Sequence, residues 1–190
     1  MRKYKMELNA IRDIAYRNAK SKGFYLSMQD DMSYIAAIHE ELSEAFSAWN
    51  KNNFRDMKVW YHLSPKPDGI YFELTDAVIR TLSFCGYKGY DLKTYNVGNE
   101  AFTKDDLCDI ICRCHAIIGQ YYDVANKEYS DEYESLIAQK CISRIFSSFI
   151  ALISRYINQS SNSEYKLYDL IDTKLKYNQT RSMLHGGHKV

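Results

Sequence analysis

The chain is poor in the residues that make turns. Two prolines and eight glycines among 190 residues are little material for the tight connections of a sandwich or barrel, so an all-α bundle of about six helices is the expected class. It also lacks an excess of charge of either sign. With 25 Lys and Arg against 24 Asp and Glu, the formal net charge is +1, which gives no general field for a polyanion. A nucleic-acid polymer is therefore not an expected partner, and any phosphate contact falls to local basic groups. No uninterrupted apolar run approaches the roughly 20 residues of a membrane span; the most apolar stretch, 145–153, is broken by Ser147 and Ser148. Residues 1–7 have a basic start but no apolar segment after it, so no leader and no membrane association are expected, and the protein is placed in the cytoplasm. Five cysteines, an odd number set in helical segments, fit reduced thiols better than a disulfide framework. The length suits one domain, 1–190.

What is there is helical periodicity. Residues 4–22 read as a first helix, with Gly23 where a left-handed cap would end it. Asp30 and Asp31 can cap a second helix reaching about Asn52, whose apolar residues Ile35, Ile38, Leu42, Ala45, Phe46 and Trp49 recur at three- and four-residue steps. Ala37, Glu41, Glu44 and Ala48 form a row beside that stripe, while Glu40 points further out. A polar loop with Pro65 and Pro67 precedes a third helix over about 68–85, ended by Gly86 and Gly89. Further helices are expected over about 104–127, 131–158 and 164–181, with a glycine-containing tail beyond.

The pattern also admits a duplication. Laying His115 on His39 makes the fourth helix follow the apolar pattern of the second, and laying Arg144 on Arg80 makes the fifth follow the third. In that register Glu41, Glu44, Glu73 and Asp76 become Ile117, Gln120, Ile137 and Lys140, so a degenerate second repeat, about 104–158, would carry no acidic quartet.

Three groups of residues carry chemistry. Glu41 and Glu44 share a helix face, as do Glu73 and Asp76. Four carboxylates on facing helices repel unless a cation sits among them, and a hard ion with oxygen ligands suits them: Mg²⁺, with Mn²⁺ as the alternative. Paired surface carboxylates with Lys or Arg neighbours are the plainer explanation of either pair alone. Cys108, Cys112, Cys114 and His115 suggest zinc weakly, because Cys114 points away from the face shared by Cys108 and Cys112. A di-iron site would need Glu-x-x-His pairs, and the chain has none. Finally, Lys174, Asn178 and Arg181 stand at i, i+4 and i+7, a phosphate-binding face, and the tail after it adds His185 and Lys189. The plainer alternative there is a basic last turn complementing the helix dipole.

In their order along the chain these blocks resemble the all-α nucleoside triphosphate pyrophosphohydrolases, of the MazG-like and dimeric dUTPase type. The resemblance lies in Glu41-Leu42-Ser43-Glu44 followed by Glu73-Leu74-Thr75-Asp76, in residues 66–80, and in residues 174–181 with His185-Gly186-Gly187 after them. It covers about a third of the chain. It implies a Mg²⁺-dependent hydrolase that splits a nucleoside triphosphate, a deoxynucleotide by preference, into its monophosphate and pyrophosphate. It further implies metal ligation by Glu41, Glu44, Glu73 and Asp76, triphosphate contacts from Lys174, Asn178, Arg181, His185 and Lys189, and a homo-oligomer, most simply a dimer. Glu40 is the candidate for orienting or deprotonating water. Ser83 stands where relatives often carry another acid, and His188 where the tail usually has Lys. The rival expectations are a non-catalytic nucleotide-binding module and an enzyme directed to dUTP or to phosphoribosyl-ATP. No motif identifies the base. Phe24, Tyr25, Trp49 and Trp60 are available as stacking surfaces, although with 17 tyrosines core filling is the commoner role of an aromatic.

Overall fold

The computed structural model describes residues 7–26, 30–52, 67–95, 98–162 and 164–182. Among them are the six expected helices and no strand: α1 (Leu8–Ser21), α2 (Asp31–Asn52), α3 (Ile70–Lys88), α4 (Leu107–Ala125), α5 (Glu132–Ser160) and α6 (Leu167–Thr180), with one 3-10 turn, Lys104–Asp106, leading into α4.

Local chemistry sets most of the ends. Past α1, Gly23 adopts φ 93° and the Phe24 amide reaches back to the Ala19 carbonyl, the left-handed cap expected there. Asp30 caps α2 by accepting from the Ser33 amide, and Asp131 caps α5 by accepting from that of Glu134, each at 2.8 Å. The end of α3 departs from expectation. Gly86 stays inside the helix, which runs on to Lys88 and stops at Gly89 with φ 73°. Gly86 serves a close approach instead, because a Cβ there would stand 2.6 Å from Tyr16 Cβ on α1.

Helix α3 is the axis of the bundle, with 14 of its 19 residues buried, and α1, α2, α5 and α6 all pack against it. A helix enclosed on most sides must hold its polar groups inside. Thr75 and Thr81 donate to carbonyls one turn back, those of Tyr71 and Ala77; Glu73 is the carboxylate carried inward with them. Phe84 joins the halves, with its ring edge-on to Tyr121 of α4 and Phe146 of α5 at 5.7 and 5.8 Å.

Two findings bear on the sequence reading. His39 and His115, the residues aligned in the proposed duplication, touch across the α2–α4 contact. Their rings stack at 4.9 Å, 6° from parallel, with the Nδ1 atoms 2.6 Å apart. A residue beside a two-fold axis meets its own counterpart in this way. In addition α5 is long and apolar enough, by length and composition, to cross a bilayer, which a search for uninterrupted apolar runs overlooks. In the bundle its Phe146, Phe149, Ile153 and Tyr156 are core residues.

Candidate metal and anion site

Burial of Glu41 and Glu73 sets this site. Each is 7% exposed, Glu41 on the inner side of α2 and Glu73 in the first turns of α3. With Asp76 they offer carboxylate oxygens that all lie within 4.8 Å of one another. Burial pushes the Glu73 carboxyl up to about 8, helped by the neighbouring Asp76 charge and by a hydrogen bond with the Asp68 carboxyl. The Glu41 carboxyl is pushed up to about 7, mainly by burial, with Arg80 pulling it back. Near neutral pH the pocket therefore favours protons or cations on these groups. A divalent ion would displace the protons, so its binding tightens as pH rises.

Two internal cations already answer the charge. Arg80 donates through Nε to Glu41 Oε1 at 2.5 Å. Lys174 of α6 lies 2.5 Å from Asp76 Oδ2, donates to the Pro67 carbonyl and sits over the Phe72 ring. Burial alone would lower the pKa of Lys174, but Asp76, Glu73 and Glu41 outweigh it and raise the value. The set thus has three hard oxygen donors and two flexible side chains as counter-charges. Such a donor set fits Mg²⁺ or Mn²⁺ and does not distinguish them.

The cluster opens on a cavity of about 110 Å³ whose walls include Glu41, Asp76, Arg80, Asn178 and Arg181 together with Ala15, Asn18, Ala19, Phe24 and Tyr25. Lys22, also in its wall, donates to the Gln179 and Arg181 carbonyls and fastens the end of α6 to α1.

The expected quartet is a trio. Glu44 is exposed and outside the cluster, although near enough for its charge to raise Glu41. Three residues advance a helix by about 300°, so Glu44 sits about 60° around from Glu41. That offset turns it to solvent once α3 occupies the Glu41 side. Glu40 is exposed as expected and acts electrostatically on Arg80. Lys174 differs from an open phosphate contact: it is buried and paired with a carboxylate. Asn178 and Arg181 do face the cavity, with the Arg181 guanidinium 5.9 Å from the Tyr177 ring centre. His185, Lys189, His188 and Trp60 lie outside the described residues. Trp49 packs on Phe46 and is not in the cavity wall. The cysteines with His115 make no cluster among the described residues, since His115 faces His39, Cys114 is buried and Cys112 is exposed.

Sequence reading missed Arg80, Asp68, Asn18 and Lys22 as parts of the site. A signal existed for Arg80, one turn after Asp76 on the same side of α3. None existed for Asn18 and Lys22, which α1 brings in from a distance. No family model, curated protein or solved structure matches the chain.

Proposed function

We propose that this protein is a divalent-cation-dependent nucleoside triphosphate pyrophosphohydrolase of the MazG-like kind, acting on a deoxynucleoside triphosphate. The observation that carries the reading is the convergence of Glu41, Glu73 and Asp76 within 4.8 Å, with Glu41 and Asp76 in the wall of a cavity that Arg80, Asn178 and Arg181 also line. In the reaction water adds to the α-phosphorus and the α–β anhydride breaks, giving monophosphate, pyrophosphate and a proton. Such displacements depend chiefly on positioning and charge neutralisation. Mg²⁺ held by the three carboxylates would supply charge neutralisation at the phosphates. Arg181 and Asn178 would bind phosphate oxygens, and Arg80, released from Glu41, would stand beside them as a further cation. Lys174, paired with Asp76, holds that carboxylate in place. Glu40 is our candidate for orienting the water or taking its proton, with Glu44 as a charge near the cation.

One observation favours a second reading. The pairs Glu41–Arg80 and Asp76–Lys174 satisfy two of the three carboxylates without a metal, as a binding module that performs no hydrolysis would allow. A panel of nucleoside triphosphates, assayed for pyrophosphate release with and without Mg²⁺, separates the two. Mg²⁺-dependent release of pyrophosphate in equal amount to monophosphate is the expected result. Nucleotide binding without release would establish the module, and phosphate in place of pyrophosphate would overturn the bond assignment.

A further inference from the structure

We propose that His39 and His115 form a site for a borderline-soft divalent ion of the Zn²⁺ class, which would clamp α2 to α4 at the seam between the halves. The site is separate from the carboxylate cluster. Glu41 comes two residues after His39, hence about 200° around α2, and meets Arg80 of α3, whereas His39 meets α4.

Geometry carries the inference. The two rings are 6° from parallel with their centres 4.9 Å apart, yet their Nδ1 atoms are only 2.6 Å apart. Nitrogens so much closer than the ring centres lie between them, so each ring turns its Nδ1 edge toward the other. Imidazole nitrogen is the commonest side-chain ligand of metals such as zinc, copper and nickel. Two such atoms from different helices, aimed at one another, are a pair of donors already brought together. Among the described residues the hydrogen bond and the ring contact of each histidine are with the other. Without an ion, one Nδ1 must carry a proton for the other to accept. With an ion between them that proton moves to Nε2 of its own ring, both rings stay neutral, and each gives a lone pair. Zn²⁺ holds imidazole nitrogen at about 2.0–2.1 Å, so in a tetrahedral shell the two atoms must part by about 0.7 Å.

The seam gives room for this. Ala36 and Ser43 stand one turn to either side of His39, and Cys112 and Gly119 one turn to either side of His115; all four are short and exposed. Nothing lies within 4 Å of a Cβ built on Gly119, and the Ser43 hydroxyl is turned to the His39 carbonyl. The histidines themselves are half-buried, so an ion reaches them from solvent, and water fills the shell positions that the protein leaves open. A zinc site on α4 alone fails for want of a cluster. The second ligand beside His115 comes from α2 instead, which spacing along one helix cannot reveal.

The test is calorimetric titration of the full chain with Zn²⁺, in excess Mg²⁺ to compete for the carboxylates. His62, His185 and His188 are replaced by Gln, so that His39 and His115 are the imidazoles left. One Zn²⁺ per chain is expected to bind this reference protein. Adding His39→Gln or His115→Gln should weaken binding at least about tenfold, since even changes to groups that merely orient a metal ligand cost that much. The two changes together should cost less than the sum of the single losses, because either one already breaks the two-point grip. Circular dichroism establishes that the variants are folded. In the reference protein itself, the Nδ1 resonances of both histidines should shift as Zn²⁺ is added, a readout that needs no variant. If the reference protein binds no Zn²⁺, or binds it without those shifts, the pair is a hydrogen bond between helices only and the proposal is overturned. Binding that survives both substitutions overturns it too, by placing the ion on the thiols or the carboxylates.

Discussion

Helices α2 and α3 on one side, and α4 and α5 on the other, bury corresponding stripes and differ in what covers their opposite faces. Ile35, Ile38 and Leu42 are buried in α2, as are Ile111, Cys114 and Ile118 in the aligned register of α4. Leu74, Val78 and Leu82 of α3 correspond to Ala138, Ile142 and Phe146 of α5, all buried. Yet Phe72, Glu73 and Ala77 are enclosed, whereas their counterparts Leu136, Ile137 and Cys141 are exposed, Leu136 to 47% and Ile137 to 43%. The reason is that α1 and α6 pack on α3. A carboxylate at the Glu73 position is desolvated only where those helices cover it, and desolvation raises its affinity for a proton or a cation. The comparison teaches that an acidic motif becomes a candidate site through its cover as much as through its residues.

The largest expected effect lies in the carboxylates themselves. Asp76→Asn keeps the side-chain shape but removes a charge, and it should lower pyrophosphate release at least about a hundredfold. Lys140→Ala, at the corresponding place on α5, should leave the rate within about twofold, as is usual for an exposed position away from a site. Comparable losses from both changes would break the distinction between the halves.

A smaller effect tests the cover. Gly86→Ala places a methyl 2.6 Å from Tyr16 Cβ and should destabilise the fold by about 1–3 kcal/mol, as overpacking does. Gly119→Ala on α4, where nothing lies within 4 Å of the added carbon, should instead stabilise by about 0.5–1 kcal/mol through helix propensity. Urea unfolding of the two variants gives the signs directly. A neutral Gly86→Ala would mean that α1 is not held closely against α3.

The smallest expected effect concerns the seam between the halves. The pKa values of His39 and His115 are both lowered from 6.5, chiefly by burial, and for His39 also by the other ring. Below 6.5 the unfolded chain takes up protons that the folded pair resists, so stability present at neutral pH is lost as pH falls through that value. His39→Gln should flatten the fall in melting temperature between pH 7 and pH 5.5. An unchanged slope would show that the paired rings are not its source.

Much of the fold was legible because its determinants are local. The 3.6-residue spacing of apolar side chains, Asp30 and Asp131 at helix starts, and Gly23 and Gly89 at helix ends act through neighbours a few residues away. The same period placed Glu41, Glu73 and Asp76 on faces able to meet. It was silent on how far each face would be enclosed, and there the reading went astray: Glu44 shares its row with Glu41 but turns outward, and Lys174 turns inward to Asp76 in place of an open contact.

The sequence by itself determined the six helices, their caps and the acidic pairs, since these follow from dihedral preference, side-chain spacing and hydrogen bonds within a turn or two. Tertiary structure alone decided that the quartet is a trio, that Arg80 and Lys174 are its counter-charges, and that Asn18 of α1 meets the Leu175 carbonyl of α6 beside the same cavity. Burial and the electrostatics that follow from it depend on which helix crosses which, and that is fixed by packing between residues more than a hundred positions apart, as Asn18 and Leu175 are.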